Sequence, residues 1–108
     1  MIIRFANDHI KKICNDYRYA LKSYPKVVCD KLCILMYQLA SVEKINSFQT
    51  KQSLRKYRLH QLKGDKQGIL SLSVDRKYRM ELVLEIEKID GEDIIKILEV
   101  SNHYGDWI

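Results

Sequence analysis

The ten residues from Leu59 to Gly68, Leu-His-Gln-Leu-Lys-Gly-Asp-Lys-Gln-Gly, set the imidazole of His60 three positions from the ammonium of Lys63. Imidazole is the side chain with an ordinary pKa nearest neutrality, so it can both accept and return a proton within one reaction. Arg79 adds a planar fork of donors that matches a phosphate. A second imidazole, His103, follows the last apolar run. These groups meet the needs of metal-free RNA cleavage. A base takes the 2′-hydroxyl proton, an acid protonates the leaving oxygen, and cations stabilise the charge that develops on phosphorus-bound oxygen.

Other chemistries are less well served. Gly64-x-x-x-Gly68 is not a nucleotide-binding signature, and the two glycines read as turn residues. Cys29 and Cys33 are four apart, but Cys14 is the sole further thiol, so core packing is the better reading than a metal site. An odd number of cysteines without framework spacing fits a reducing compartment. No cofactor is expected.

The surrounding chain must hold these groups in place. Ile2, Ile3 and Phe5 read as a first strand, and Asn7 or Asp8 can cap a helix behind it. Ile10, Ile13, Cys14, Tyr17 and Leu21 share one helical face. Ser23-Tyr24-Pro25 ends that helix and opens another, with Ser23 as the expected cap. The second helix presents Val28, Leu32, Leu35, Met36, Leu39 and Val42, so the pair forms a helical hairpin. From Leu70 the period changes to two: Leu70, Leu72 and Val74, then Tyr78, Met80, Leu82, Leu84 and Ile86, alternate with polar residues. A three-residue turn at Asp75 to Lys77 pairs Ser73 with Arg79 and gathers the apolar residues on one face. Arg79 is then expected on the open face beside Ser73. Asp90-Gly91 signals a turn into a last strand, Ile94 to Val100. The expected fold is α+β: an N-terminal strand and a two-helix hairpin packed on a small antiparallel sheet.

With 108 residues, 46% hydrophobic and 31% charged, the chain is expected to make one domain spanning residues 1–108. No apolar run reaches the roughly 18 residues of a membrane span, and the first residues lack a signal-peptide core; the expected location is the cytoplasm, away from membranes. The net charge of +5 is concentrated. Between Lys51 and Lys66, Lys51, Arg55, Lys56, Arg58, Lys63 and Lys66 face the single Asp65, and the remaining chain is balanced at thirteen of each sign. Such a segment attracts polyanions, although a solvated basic loop has the same composition.

At these residues the sequence resembles the HigB branch of the RelE/ParE toxin superfamily. The branch has a Met-Ile-x-x-Phe strand, two helices, a Leu-His-x-Leu-Lys-Gly-Asp-(Arg/Lys)-x-Gly motif, a Ser-rich strand and an aromatic-Arg pair. Here these are Met1 to Phe5, Leu59 to Gly68, Ser71 to Val74, and Tyr78-Arg79. The resemblance implies a ribosome-dependent mRNA endonuclease, the toxin of a type II toxin–antitoxin system, silenced by a helix-turn-helix antitoxin. It gives His60 and His103 proton-transfer roles and sets Lys63 and Arg79 on the scissile phosphate. Arg55, Lys56, Arg58 and Lys66 would dock on ribosomal RNA, with Ser73 and Tyr104 as auxiliary groups. One departure is plain: Ser101-Asn102 stand where the family places Asp-Tyr before the C-terminal His.

Blander roles compete at each position. His60 and His103 can be exposed loop or tail residues, and Arg79 can pair with Glu81 or a cross-strand carboxylate. Tyr17, Tyr19 and Tyr24 read as packing residues, Tyr57 as a weak stacking candidate, and His9 as solvated. Two other functions fit the same composition: a ParE-like toxin acting on DNA gyrase without cleaving RNA, and a non-catalytic RNA- or ribosome-binding module.

Overall fold

The computed structural model describes residues 2–42, 60–61, 68–86 and 93–102. The elements are β1 (Ile2–Phe5), α1 (Asp8–Asn15), α2 (Tyr17–Leu21), α3 (Lys26–Ala40), β2 (His60–Gln61), β3 (Leu70–Ser73), β4 (Arg79–Ile86) and β5 (Asp93–Ser101). The fold class is the α+β arrangement read from the sequence. The strands form one five-stranded sheet in the order β1-β5-β4-β3-β2.

Local chemistry sets the helical layer. The Asn7 side chain accepts a hydrogen bond from Ile10 N at 2.9 Å and starts α1. The expected first helix is in fact two, because Asp16 adopts an extended backbone and caps α2 by accepting from Tyr19 N at 3.1 Å. Its cap geometry interrupts the helical ladder, and Leu21, placed on the buried face by an unbroken period, is 41% exposed. Ser23 is not the cap of α3: Pro25 occupies that position, without a side-chain cap bond. Val28, Cys29, Leu32, Leu35 and Leu39 of α3 are buried, as is Val42 just beyond it. Cys33, expected in the core, is exposed.

The hairpin register follows the three-residue turn. Asp75 Oδ1 accepts from Lys77 N at 2.8 Å and Tyr78 N at 2.7 Å, and Val74 N donates to Tyr78 O at 2.9 Å. Ser73 then stands opposite Arg79, and Leu72 opposite Met80. Gly68, at φ +92°, turns the chain toward β3 in a conformation that L side chains rarely adopt. Two features of the sheet depart from expectation. β1 runs parallel to β5, with Ile3 beside Ile95, so the sheet is mixed. A two-residue strand, β2, also pairs with β3.

Helices and sheet bury one continuous core in which Ile10, Ile13, Leu32, Leu35 and Leu39 meet Leu72, Met80, Leu82, Ile95 and Ile97. The Tyr24 hydroxyl donates to Val100 O at 2.7 Å and its ring meets Tyr78 edge-on, tying the start of the second helical arm to β4 and β5. Beneath it, Tyr17 OH donates to Asp30 Oδ1 at 2.6 Å and Lys26 Nζ to Asp30 Oδ2 at 3.0 Å, which clamps α2 against α3.

Two predictions follow from these contacts. Tyr24→Phe keeps the ring and removes the hydroxyl bond, so urea unfolding should show a loss of about 1 kcal/mol with the fold intact by circular dichroism. The hydrogen bond from Tyr17 and the Lys26 contact hold the Asp30 carboxyl below its ordinary range. Its stabilising contribution is therefore present at neutral pH and lost as pH falls through that depressed value. Asp30→Asn should lower the urea midpoint at pH 7, and the gap from wild type should close as pH falls below the ordinary carboxylate range and through the depressed value; a constant gap would show that packing, not charge, carries the clamp.

Candidate active site

β4 is the middle strand of the sheet, and its polar residues define the face turned away from the helices. Two cross-strand rows lie there. Ser73, Arg79 and Ser101 are register partners across β3, β4 and β5, and Ser71, Glu81 and Glu99 form the next row. Paired Cβ atoms in such rows are about 4.5–5.5 Å apart, so their side chains are immediate neighbours. The second row continues to β2, where His60 is the register partner of Ser71.

A one-residue irregularity makes the rows possible. Glu81 faces Glu99, but Leu82 faces Ile97, leaving Leu98 as the extra residue in β5. Strict alternation would put Glu99 and Ser101 on the same side as Ile95 and Ile97. The bulge reverses the parity: Ile95, Ile97 and Val100 enter the core, and Glu99 and Ser101 join Arg79.

The face is not open, as the alternating pattern implied. Arg79 is 8% exposed, Glu81 4%, Ser101 8% and Ser71 0%. The physical reason for the mismatch is that polar alternation records which face a residue takes and not how wet that face is. Burying a guanidinium requires nearby polar or opposite charge, and Arg79, Glu81 and Glu99 are each held in polar interactions. The Ser71 and Ser101 hydroxyl oxygens are buried without a hydrogen-bond partner among the described residues. The arrangement is one cationic fork flanked by small hydroxyls, with carboxylates in the adjacent row. It can hold an anion and offers Glu81 as a nearby proton acceptor.

Of the residues singled out in the sequence, the structure brings Arg79 and Ser73 together as direct partners and sets the backbone of His60 on the neighbouring edge of the same sheet. Lys63, His103, Arg55, Lys56, Arg58, Lys66, Tyr104 and Tyr57 lie outside the described residues. Glu81, Ser71 and Ser101 were not recognised as site residues in the sequence. The signal was available for Glu81, which alternation already puts beside Arg79. Its burial was not.

The helical side differs in character. A cavity of about 480 Å³ lies against β1, α1 and α3, lined by apolar groups including Ile3, Phe5, Met36 and Tyr37, with Cys14 and Cys33 at its wall. Burial pushes the Cys14 thiol up to about 12, so it is an inert packing group at neutral pH. Among the described residues no group of three or more His, Cys, Asp or Glu could hold a metal ion, and no helix is long and apolar enough to cross a membrane.

No protein-family model matches the chain, and no curated protein does. Solved structures do. A YoeB/ParE toxin from Agrobacterium tumefaciens superposes with a TM-score of 0.58 at 16% identity, covering 96% of this chain and 100% of that one. A chain of the YoeB-YefM complex from Staphylococcus aureus gives 0.53 at 19% identity, over 96% and 98%. Over 96% of its length the chain thus shares the architecture of these two structures, and its fold is RelE/ParE-like.

Proposed function

We propose that this chain is the toxin of a type II toxin–antitoxin system and cleaves mRNA on the ribosome, in the manner of the HigB-like branch its central motif resembles. The observation that carries the reading is Arg79, a buried guanidinium set between Ser73 and Ser101 on the middle strand, one row from the line that leads to His60. Such a fork suits the non-bridging oxygens of a scissile phosphate. His60 or His103 removes the 2′-hydroxyl proton, and the 2′-oxygen attacks phosphorus. The bond to the 5′-oxygen breaks, a 2′,3′-cyclic phosphate remains, and the partner acid protonates the departing oxygen. Arg79 and Lys63 balance the charge of the crowded phosphorane. In the sequence His103 is two residues beyond Ser101, the register partner of Arg79. Arg55, Lys56, Arg58 and Lys66 supply the charge for docking on ribosomal RNA. A helix-turn-helix antitoxin is the proposed partner; one structural neighbour is itself a chain of the two-protein YoeB-YefM complex.

The test is cleavage of a defined mRNA on programmed ribosomes, mapped by primer extension. Wild type should cut. His60→Ala should lower the rate by about 10²–10⁴-fold, as loss of a proton-transfer group does. Arg79→Gln should lower it about 10²–10³-fold, with folding checked by circular dichroism. Intact mRNA with tight ribosome binding would replace this reading with a non-catalytic binding module. Intact mRNA with gyrase-dependent plasmid cleavage would replace it with a ParE-like action.

A further inference from the structure

The helical layer carries a second cationic feature, on the side of the molecule opposite Arg79. Residues 8–31 hold Lys11, Lys12, Arg18, Lys22, Lys26 and Lys31 against Asp8, Asp16 and Asp30. Two of these cations converge. Lys12 Nζ lies 5.6 Å and Lys22 Nζ 5.8 Å from the centroid of the Tyr19 ring, which puts the ammonium groups no more than 11.4 Å apart, the two distances end to end. The ring is itself fixed: its hydroxyl shares a 2.7 Å hydrogen bond with His9 Nδ1, and the two rings meet edge-on at 5.6 Å and 71°. The break at Asp16 creates this geometry by folding α2 back so that Tyr19 reaches both ends of α1.

The charges around the ring are unbalanced. Neither Lys12 nor Lys22 has a carboxylate partner among the described residues, whereas Lys26 pairs with Asp30 at 3.0 Å. Asp16 caps α2, Asp30 accepts from Tyr17 and Lys26, and Asp8, one helical turn before Lys12, makes no ion pair with it. Lys12, Lys22 and His9 are all exposed. Two like charges held against one aromatic ring, each exposed to solvent, form a preorganised site for an anion.

We propose that His9, Lys12, Tyr19 and Lys22 form a binding site for the phosphodiester backbone of RNA, separate from the Arg79 face. RNA is favoured over an acidic polypeptide because a protein partner needs a packed apolar anchor: Val27 at 52%, Ile34 at 50% and Tyr37 at 82% belong to α3, and beside this cluster only Leu21, at 41%, is an exposed large apolar side chain among the described residues, a single group and not a patch. A polyanion needs only correctly spaced charge. Because the helices lie between this cluster and the polar face of the sheet, it engages a stretch of RNA other than the one held by Arg79. The inference does not rest on cleavage.

Binding of a labelled 12-nucleotide 2′-O-methyl oligouridylate, which lacks the nucleophile for cutting, tests it by fluorescence anisotropy across a salt series. The Lys12→Gln/Lys22→Gln double variant should bind about tenfold more weakly near 0.1 M salt, with the log–log salt slope reduced by about 1.4. Tyr19→Ala keeps both charges but frees them, and should weaken binding about threefold, whereas Tyr19→Phe should stay within about twofold. Arg79→Gln should keep the full Lys12/Lys22 increment, which separates failure here from failure of the nuclease reading. Wild-type affinity and slope in the double variant would overturn the proposal. So would a Tyr19→Ala protein indistinguishable from wild type, or a cluster that binds polyglutamate in preference to RNA.

Discussion

A single extra residue in β5 decides which side of this sheet is chemical and which is structural. Side chains alternate along a strand, so a run such as Ile94 to Ser101 cannot serve two faces with one fixed parity. Leu98 resets the parity between Ile97 and Glu99. Upstream of it Ile95 and Ile97 enter the core; downstream Val100 does so, and Glu99 and Ser101 turn to the opposite face. Without that step the core would contain a carboxylate and Arg79 would lose its hydroxyl neighbour. The bulge also lies beside the central strand, where a change of register is transmitted at once to β3 through Ser71 and Ser73.

The other end of the same register is set by Asp75. Its carboxylate accepts from two successive backbone N–H groups and so fixes a three-residue turn. One residue more or fewer would exchange the two faces of β3 relative to β4 and bury Ser73 against the helices. Turn and bulge therefore act on the same row from its two sides. Arg79 sits where both constraints agree, at the first residue of β4. A guanidinium 8% exposed is stable only if its surroundings were organised before any ligand arrived, and that preorganisation is what electrostatic catalysis of phosphoryl chemistry demands.

Much of this was legible in the sequence. The two-residue period of β3 and β4, the turn at Asp75, the Ser73–Arg79 pairing and the apolar face of α3 all follow from local pattern, because each is decided by neighbours within a few positions. What was not legible is non-local or coincident with a stronger signal. The parallel pairing of β1 with β5 joins residues about ninety positions apart in sequence, and two short apolar strands do not declare their direction. The break at Asp16 hides beneath the period of Ile10, Ile13, Cys14, Tyr17 and Leu21, which continues as if the helix did. The burial of Glu81 hides because polar alternation looks the same on a wet face and a covered one. At the candidate site, register placed Arg79 beside Ser73, whereas Lys63 and His103, named from residue type and position and given roles by the motif resemblance, lie outside the described residues.

The break at Asp16 is more than an irregularity of the helical layer. In one straight helix, Tyr19 would be ten residues and about 15 Å from His9 along the axis. The cap at Asp16 folds α2 back and closes that span to a 2.7 Å hydrogen bond. One aspartate thus gathers two ammonium groups around a ring. Fold economy alone would favour a continuous helix here, since every apolar position up to Tyr17 already lies on one stripe. The broken helix instead exposes Leu21 and leaves positive charge uncompensated on the surface. Both are costs to stability, and the RNA-backbone site proposed at Lys12 and Lys22 gives that uncompensated charge a role.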